Sequence, residues 1–169
     1  APMFIVSNPD LVVAQCTSGI IGSFPALNVR EPETLCSWLT EIRSRTEKAR
    51  CNGHFVAPFA VNLIVHPNNT RLEEDLATVV EHRVPIVITS VGKPGEIAAA
   101  VQSYGGIIFH DVTNIRHAKK ALESGVDGLI LVCSGAGGHA GVLNPFALVL
   151  EVRSFFGGPL MLSGCISDG

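Results

Sequence analysis

Between residues 134 and 141 the chain reads Ser134-Gly135-Ala136-Gly137-Gly138-His139-Ala140-Gly141. Four glycines in this stretch let the backbone come close to a ligand and turn its N–H groups toward it. His139, set among them, is held at the same ligand, where an imidazole acts as a general base or as a donor to an anionic group near neutral pH. A flexible linker with an exposed histidine is the plain alternative. Against it, the stretch directly follows an apolar run and precedes a helix that starts at Pro145. The spacing is not G-x-G-x-x-G, so the dinucleotide fingerprint does not apply. A second element, Ser163-Gly164-Cys165-Ile166, follows the last apolar run. A small-residue turn leading into a helix start is an anion site, typically for phosphate.

Other polar residues stand within or just after apolar runs: Asn62, His66, Ser90, His110 and Asp111. A buried Asn62 amide must find partners, so a structural role and a contact to the polar edge of a cofactor are both open. His110 and Asp111 end one run together and allow the same two readings. His66, His82 and His117 read as solvated or internally satisfied, and His54 supports no argument. There is no H-E-x-x-H, no histidine pair at metal-ligand spacing and no G-x-S-x-G, so neither a metal site nor a serine nucleophile has support. The five cysteines, Cys16, Cys36, Cys51, Cys133 and Cys165, are odd in number, scattered and free of C-x-x-C spacing. That argues against a disulfide framework or a zinc site, reads as small buried hydrophobes, and fits a reducing, cytoplasmic setting. Asn68-Asn69-Thr70 matches a glycosylation sequon but reads as chance without a secretory signal.

Such residues need elements to position them. Phe59–Val65, Pro85–Val91, Gly106–Val112, Gly128–Ser134 and Pro159–Gly164 are short, β-branched and almost continuously apolar. That is the pattern of strands buried on both faces of a parallel sheet. A weaker signal covers Gly19–Pro25, and Phe4–Ser7 reads as the tail of a first strand, for seven signals in all. Between them, Glu31–Lys48, Leu72–His82 and Ile115–Ser124 carry helical periodicity. Leu35, Trp38, Leu39 and Ile42 form the apolar face of the first, with Trp38 in core packing. Asn69 or Thr70 can cap the second helix, Thr113 or Asn114 the third, and Gly125 stands where the third should end. Alternating strands and helices imply a parallel α/β architecture, either a closed (β/α)8 barrel or a doubly wound open sheet. In both, ligands bind at the carboxyl ends of the strands.

Composition sets the remaining bounds. The 169 residues are 47% apolar and 16% charged, which excludes disorder as the main state. A net charge of −3 gives no basic stripe for nucleic acid. No apolar run reaches the ~18 residues of a membrane span, so the mean hydropathy of +0.37 reads as buried strand. Ala1-Pro2-Met3 has no charged segment or apolar stretch of a signal peptide, and Leu162–Gly169 stops within a strand-to-loop turn. The expectation is one domain, residues 1–169, forming about strands 1–7 of an incomplete (β/α)8 TIM barrel.

Ala1-Pro2-Met3, Asn62 late in a strand, Ala136-Gly137-Gly138-His139-Ala140-Gly141 and Ser163-Gly164-Cys165-Ile166-Ser167-Asp168-Gly169 together resemble the flavin-dependent nitronate monooxygenases, formerly called 2-nitropropane dioxygenases. The likeness runs along the whole chain in the same order, and the A-G-G-H-x-G element is its most specific part. It implies a TIM barrel that binds FMN and uses O2 to oxidise alkyl nitronates, with nitroalkanes left open as further substrates, to a carbonyl compound and nitrite. By the same resemblance Ala1, Pro2 and Met3 line the flavin ring and Asn62 bonds its polar edge. Ala136, Gly137 and Gly138 approach the cofactor, Ser163, Gly164 and Cys165 lie at its phosphate, and His139 is the catalytic histidine. A flavin contact is also assigned to His110, where many members carry a lysine. The family's usual G-G-I phosphate turn is Gly164-Cys165-Ile166 here, and its eighth strand and C-terminal helical region are missing from the 169 residues. The implied partners are a small nitronate and O2, without nucleic acid or membrane; the sequence does not specify the oligomeric state. Two alternatives stand beside this reading: a related FMN reductase of the enoyl-acyl-carrier-protein or NAD(P)H:quinone type, and a non-catalytic barrel fragment.

Overall fold

The computed structural model describes residues 1–138 and 140–164. Among them six strands alternate with helices, in the order α1 (Pro9–Thr17), β1 (Gly22–Pro25), α2 (Pro32–Cys51), β2 (Phe59–Ile64), α3 (Leu72–Glu81), β3 (Ile86–Ser90), α4 (Gly95–Gln102), β4 (Ile107–Val112), α5 (Ile115–Glu123), β5 (Gly128–Val132), α6 (Pro145–Arg153) and β6 (Leu160–Ser163). Every pairing is parallel, and the spatial order is β1-β2-β3-β4-β5-β6. A doubly wound sheet would reverse its strand order partway, and this one does not. The fold is therefore of the (β/α)8 barrel type, represented here by six strands.

Both sheet faces are covered, which explains the continuous apolar runs. Outward-facing Val61, Leu63, Val87, Ile108, Leu129 and Leu131 join Leu35, Leu39, Ile42, Val79, Ala118 and Val152 of the helices in one core. Burying each Leu or Ile contributes about 1.5–3 kcal/mol. A smaller inner cluster holds Ala60, Ile86, Ile88 and Phe109, with Ile130 and Met161 packed against it. Trp38 packs beside Phe24, ring centroids 5.5 Å apart, as its place on the apolar face predicts. Asn114 caps α5 by accepting from the His117 N–H at 2.9 Å, and Gly125, at φ +82°, closes the helix by donating to Leu122.

Four expectations need correction. Phe4–Ser7 is a turn, not a strand: Ile5 lies at φ +68°, Ser7 N–H donates to the Met3 carbonyl, and the Asn28 side chain bonds Met3, Ile5 and Ser7. The described strands thus number six, and the Gly19–Pro25 signal narrows to Gly22–Pro25. Neither Asn69 nor Thr70 caps α3. Asn69 instead forms a turn ahead of it, its Oδ1 accepting from Arg71 N–H and its Nδ2 donating to the Ile64 carbonyl. Finally, Cys16 and Cys133 are buried, where desolvation pushes both thiols up, but Cys36 and Cys51 lie exposed on α2. The helices α1 and α4 are additions that the apolar patterning did not announce.

Candidate functional site

A cavity of about 1180 Å³ opens at the carboxyl ends of the strands. Its floor is the inner sheet face, with Ala60, Ile86, Ile88, Ile130 and Met161. Its walls come from the residues that follow each strand: Ser90 to Pro94 after β3, Asp111 and Thr113 after β4, Gly135 to Gly137 after β5, and Ser163 with Gly164 at the end of β6. Ala1 and Pro2 complete one side. An apolar floor beneath convergent polar groups is the usual construction of a small-molecule site.

The glycine stretch contributes open backbone. A Cβ added at Gly137 or Gly138 would meet nothing within 4 Å among the described residues. Gly141 differs: a Cβ there would sit 2.2 Å from the Val132 carbonyl oxygen, so this glycine lets the loop fold back onto β5. At Gly164 a Cβ would lie 2.7 Å from the Ser134 carbonyl, which keeps the ends of β5 and β6 together. Val91 lines the cavity at φ +61°, a left-handed conformation that a β-branched residue adopts only under strain, and such strain clusters at functional sites.

The inner wall carries a chain of polar side chains. Asn62 is buried and donates from Nδ2 to Ser90 Oγ at 2.7 Å and to the Ile88 carbonyl at 3.3 Å. Ser90 Oγ in turn donates to Asp111 Oδ2 at 2.5 Å. Burial raises the Asp111 carboxyl above the usual carboxylate range and outweighs the Ser90 hydrogen bond, which acts in the opposite direction. His110 points the other way, as strand alternation requires, and packs on the helix side next to Thr89. Thr89 Oγ1 lies 3.1 Å from the Phe109 carbonyl oxygen, to which it can donate, and 2.8 Å from His110 Nδ1. Burial, and secondarily His117, lowers the His110 pKa to about 4, leaving a neutral ring.

Of the residues expected at the site, Ala1, Pro2, Ala136, Gly137, Ser163 and Gly164 line the inner face of the cavity, and His110 borders it from the helix side, beside His117 and Lys120 of α5. Met3 does not; its backbone belongs to the turn closed by Ser7 and Asn28. Asn62 reaches the site through Ser90 rather than by lining it. Gly138 adjoins the lining residue Gly137. His139 and Cys165 lie outside the described residues, as do Ile166, Ser167, Asp168 and Gly169. His117 lines the cavity rather than standing apart, and Lys93 and Lys120 were not singled out at all. Lys93 lies in the loop after β3, where a strand-end search could have found it; Lys120 lies in the last turn of α5, and no sequence signal marks it.

The site and fold together define a barrel-type α/β protein with a ligand cavity at the strand ends, and comparison narrows this class. No family model matches the chain. A nitronate monooxygenase of Paraburkholderia phytofirmans is 24% identical over an alignment covering 100% of this chain and 56% of its own length. A 5-hydroxy-7a-methyl-1-oxo-octahydro-1H-indene-4-carboxyl-CoA dehydrogenase of Rhodococcus jostii is 24% identical over 97% of this chain and 43% of its own. Among solved structures, a FabK variant from Thermotoga maritima superposes with a TM-score of 0.84 at 25% identity, covering 99% of this chain and 52% of that one. A nitroalkane oxidase from Streptomyces ansochromogenes gives a TM-score of 0.80 at 21% identity, over 96% and 56%. The chain spans about half the length of the curated relatives it matches. Its resemblance to the nitronate monooxygenase family, first seen in the motifs, holds over its full length. The relatives named by activity are oxidoreductases: a monooxygenase, a dehydrogenase and an oxidase.

Proposed function

We propose that this chain forms the greater part of an FMN site in an enzyme that oxidises alkyl nitronates with O2 to a carbonyl compound and nitrite. The observation that carries the reading is the bare backbone of Gly137 and Gly138 beside a cavity large enough for a nucleotide-sized ligand. The residues present fit a flavin. Ala136, Gly137 and Gly138 offer close backbone approach, Ala1 and Pro2 an apolar wall, and Ala60, Ile86 and Ile88 an apolar floor. Ser163, Gly164 and Cys165 would take the phosphate, and Met3 and Asn62 would hold the neighbouring turn and wall in place. His110 belongs to this set as a neutral group on the helix side of the cavity. When bound, FMN supplies the electron acceptor between substrate and O2.

The protein's own task is to bind, orient and hold charge. His139, the catalytic histidine by resemblance, would hold the nitronate oxygens when protonated and take a proton when neutral. The apolar floor excludes water from the reacting carbon. Lys93 and Lys120 add positive charge to a cavity that must admit an anion. A second reading is the related FMN reductase of the enoyl-acyl-carrier-protein or NAD(P)H:quinone type; one relative, named as a CoA-ester dehydrogenase, is an oxidoreductase other than a nitronate oxidiser. A reducing, cytoplasmic setting belongs to both readings.

The purified chain is expected to take up FMN with a perturbed flavin absorption spectrum, and to release nitrite from ethylnitronate only in the presence of O2. Replacing His139→Asn should lower nitrite release by about a hundredfold. NAD(P)H oxidation without nitrite release would favour the reductase, and failure to bind FMN would favour a non-catalytic fragment.

A further inference from the structure

On the outside of the barrel, α2 and α3 bring a thiol and an imidazole together. Cys36, in the second turn of α2, is exposed, and its Sγ lies 3.2 Å from Nε2 of His82, the residue that ends α3. The histidine is tied down by its backbone. Its N–H donates to the Thr78 carbonyl at 3.0 Å, and its carbonyl accepts from the guanidinium of Arg43, two turns along α2 from Cys36. Neither helix lines the cavity at the strand ends, so this pair stands apart from the site already described. The other described cysteines lack such a partner. Cys16 and Cys133 are buried, with desolvation pushing both thiols up. Cys51 is exposed, but it is the last residue of α2, where the helix dipole opposes a negative sulfur, and its Sγ lies 3.9 Å from the Glu47 carboxylate.

We propose that Cys36 is a modification site that forms a mixed disulfide with low-molecular-weight disulfides, His82 taking up its proton. A thiolate, not a thiol, attacks a disulfide, so an exposed sulfur with a base in contact is the one that reacts. In the step, the Cys36 S–H bond breaks and the proton passes to His82 Nε2. The sulfur's electron pair then forms a bond to one sulfur of R–S–S–R, the S–S bond of the reagent breaks, and RS− leaves with the bond's electron pair. The leaving thiolate takes the proton from the His82 imidazolium. Cys36 is oxidised to a disulfide, half of the reagent is reduced to a thiol, and the reagent is itself the oxidant, so electrons and protons balance. The inference is independent of the flavin reading, because no group in the cavity takes part.

The test uses the reduced chain and bis(2-hydroxyethyl) disulfide, a neutral reagent that leaves surface charge out of the comparison. Samples quenched with acid over time are digested, and the added mass is located by peptide mapping. Cys36 should be labelled about tenfold faster than Cys51. His82→Gln keeps a polar side chain but removes the base, so it should slow Cys36 about tenfold and leave Cys51 unchanged. A histidine that only packs over the sulfur predicts the opposite sign, since removing its ring uncovers Cys36. Glu47→Gln, at an exposed position, should speed Cys51 without altering Cys36. Equal labelling of the two cysteines in the native chain would overturn the assignment. So would an unchanged or faster Cys36 in His82→Gln, or an equal slowing of both cysteines in that variant.

Discussion

At the scale of single residues, the adjacent pair His110 and Asp111 shows what alternation does to chemistry. Two polar residues at one strand end are visible in the sequence, but which of them faces the ligand depends on strand register. Register sends Asp111 inward with Ser90 and sends His110 outward to Thr89. The outward histidine has a measurable consequence. Its folded pKa of about 4 lies below the usual 6.5, so the unfolded chain binds the proton first. The His110 contribution to stability is full above pH 6.5 and is lost as pH falls toward 4. The loss amounts to about 3 kcal/mol from this group alone. Urea unfolding between pH 7 and pH 4 should therefore show a steeper decline for the native chain than for His110→Gln. A parallel decline in the two would mean that His110 is not held neutral.

At the scale of elements, the sequence singles out the loop between β5 and α6 because glycines directly follow a buried strand, and its backbone does line the cavity. The division of labour among those glycines was not legible, since it depends on what stands opposite each one. Gly137→Ala adds a methyl to open space, so stability should stay within about 0.5 kcal/mol while FMN affinity falls. Gly141→Ala drives a methyl against the Val132 carbonyl and should destabilise the fold by about 3 kcal/mol. Thermal unfolding and flavin titration of the two variants separate the roles; a destabilised Gly137→Ala with normal FMN affinity would reverse them. The elements that sequence patterning missed have physical causes of the same kind. The periodicity of α1 is blurred by the continuous run Leu11-Val12-Val13-Ala14, and its start is set by Asn8 accepting from Leu11 N–H. The turn at Phe4–Ser7 reads as strand from its apolar residues, but Asn28, more than twenty positions away, bonds its backbone closed.

At the scale of the whole molecule, the parallel α/β architecture was within reach of the sequence, because strands and helices alternate without a break. The choice between closed and doubly wound arrangements was not, because both produce the same alternation and differ only in which strands become neighbours. The observed order gives β2 to β5 a partner on each side, while β1 and β6 are paired on one side among the described residues. Amide hydrogen exchange should therefore be slowest in β2–β5 and faster in β1 and β6. Added FMN gives the same measurement a functional content. A ligand in the cavity touches the strand ends and not α2 or α3, so slowing should concentrate in residues 134–138 and 160–164. The helices α2 and α3, on the far side of the main core, should exchange at the same rate with and without FMN. Protection confined to α2 and α3, with the loops after β5 and β6 unchanged, would move the flavin out of this cavity and remove the support for a nitronate-oxidising site.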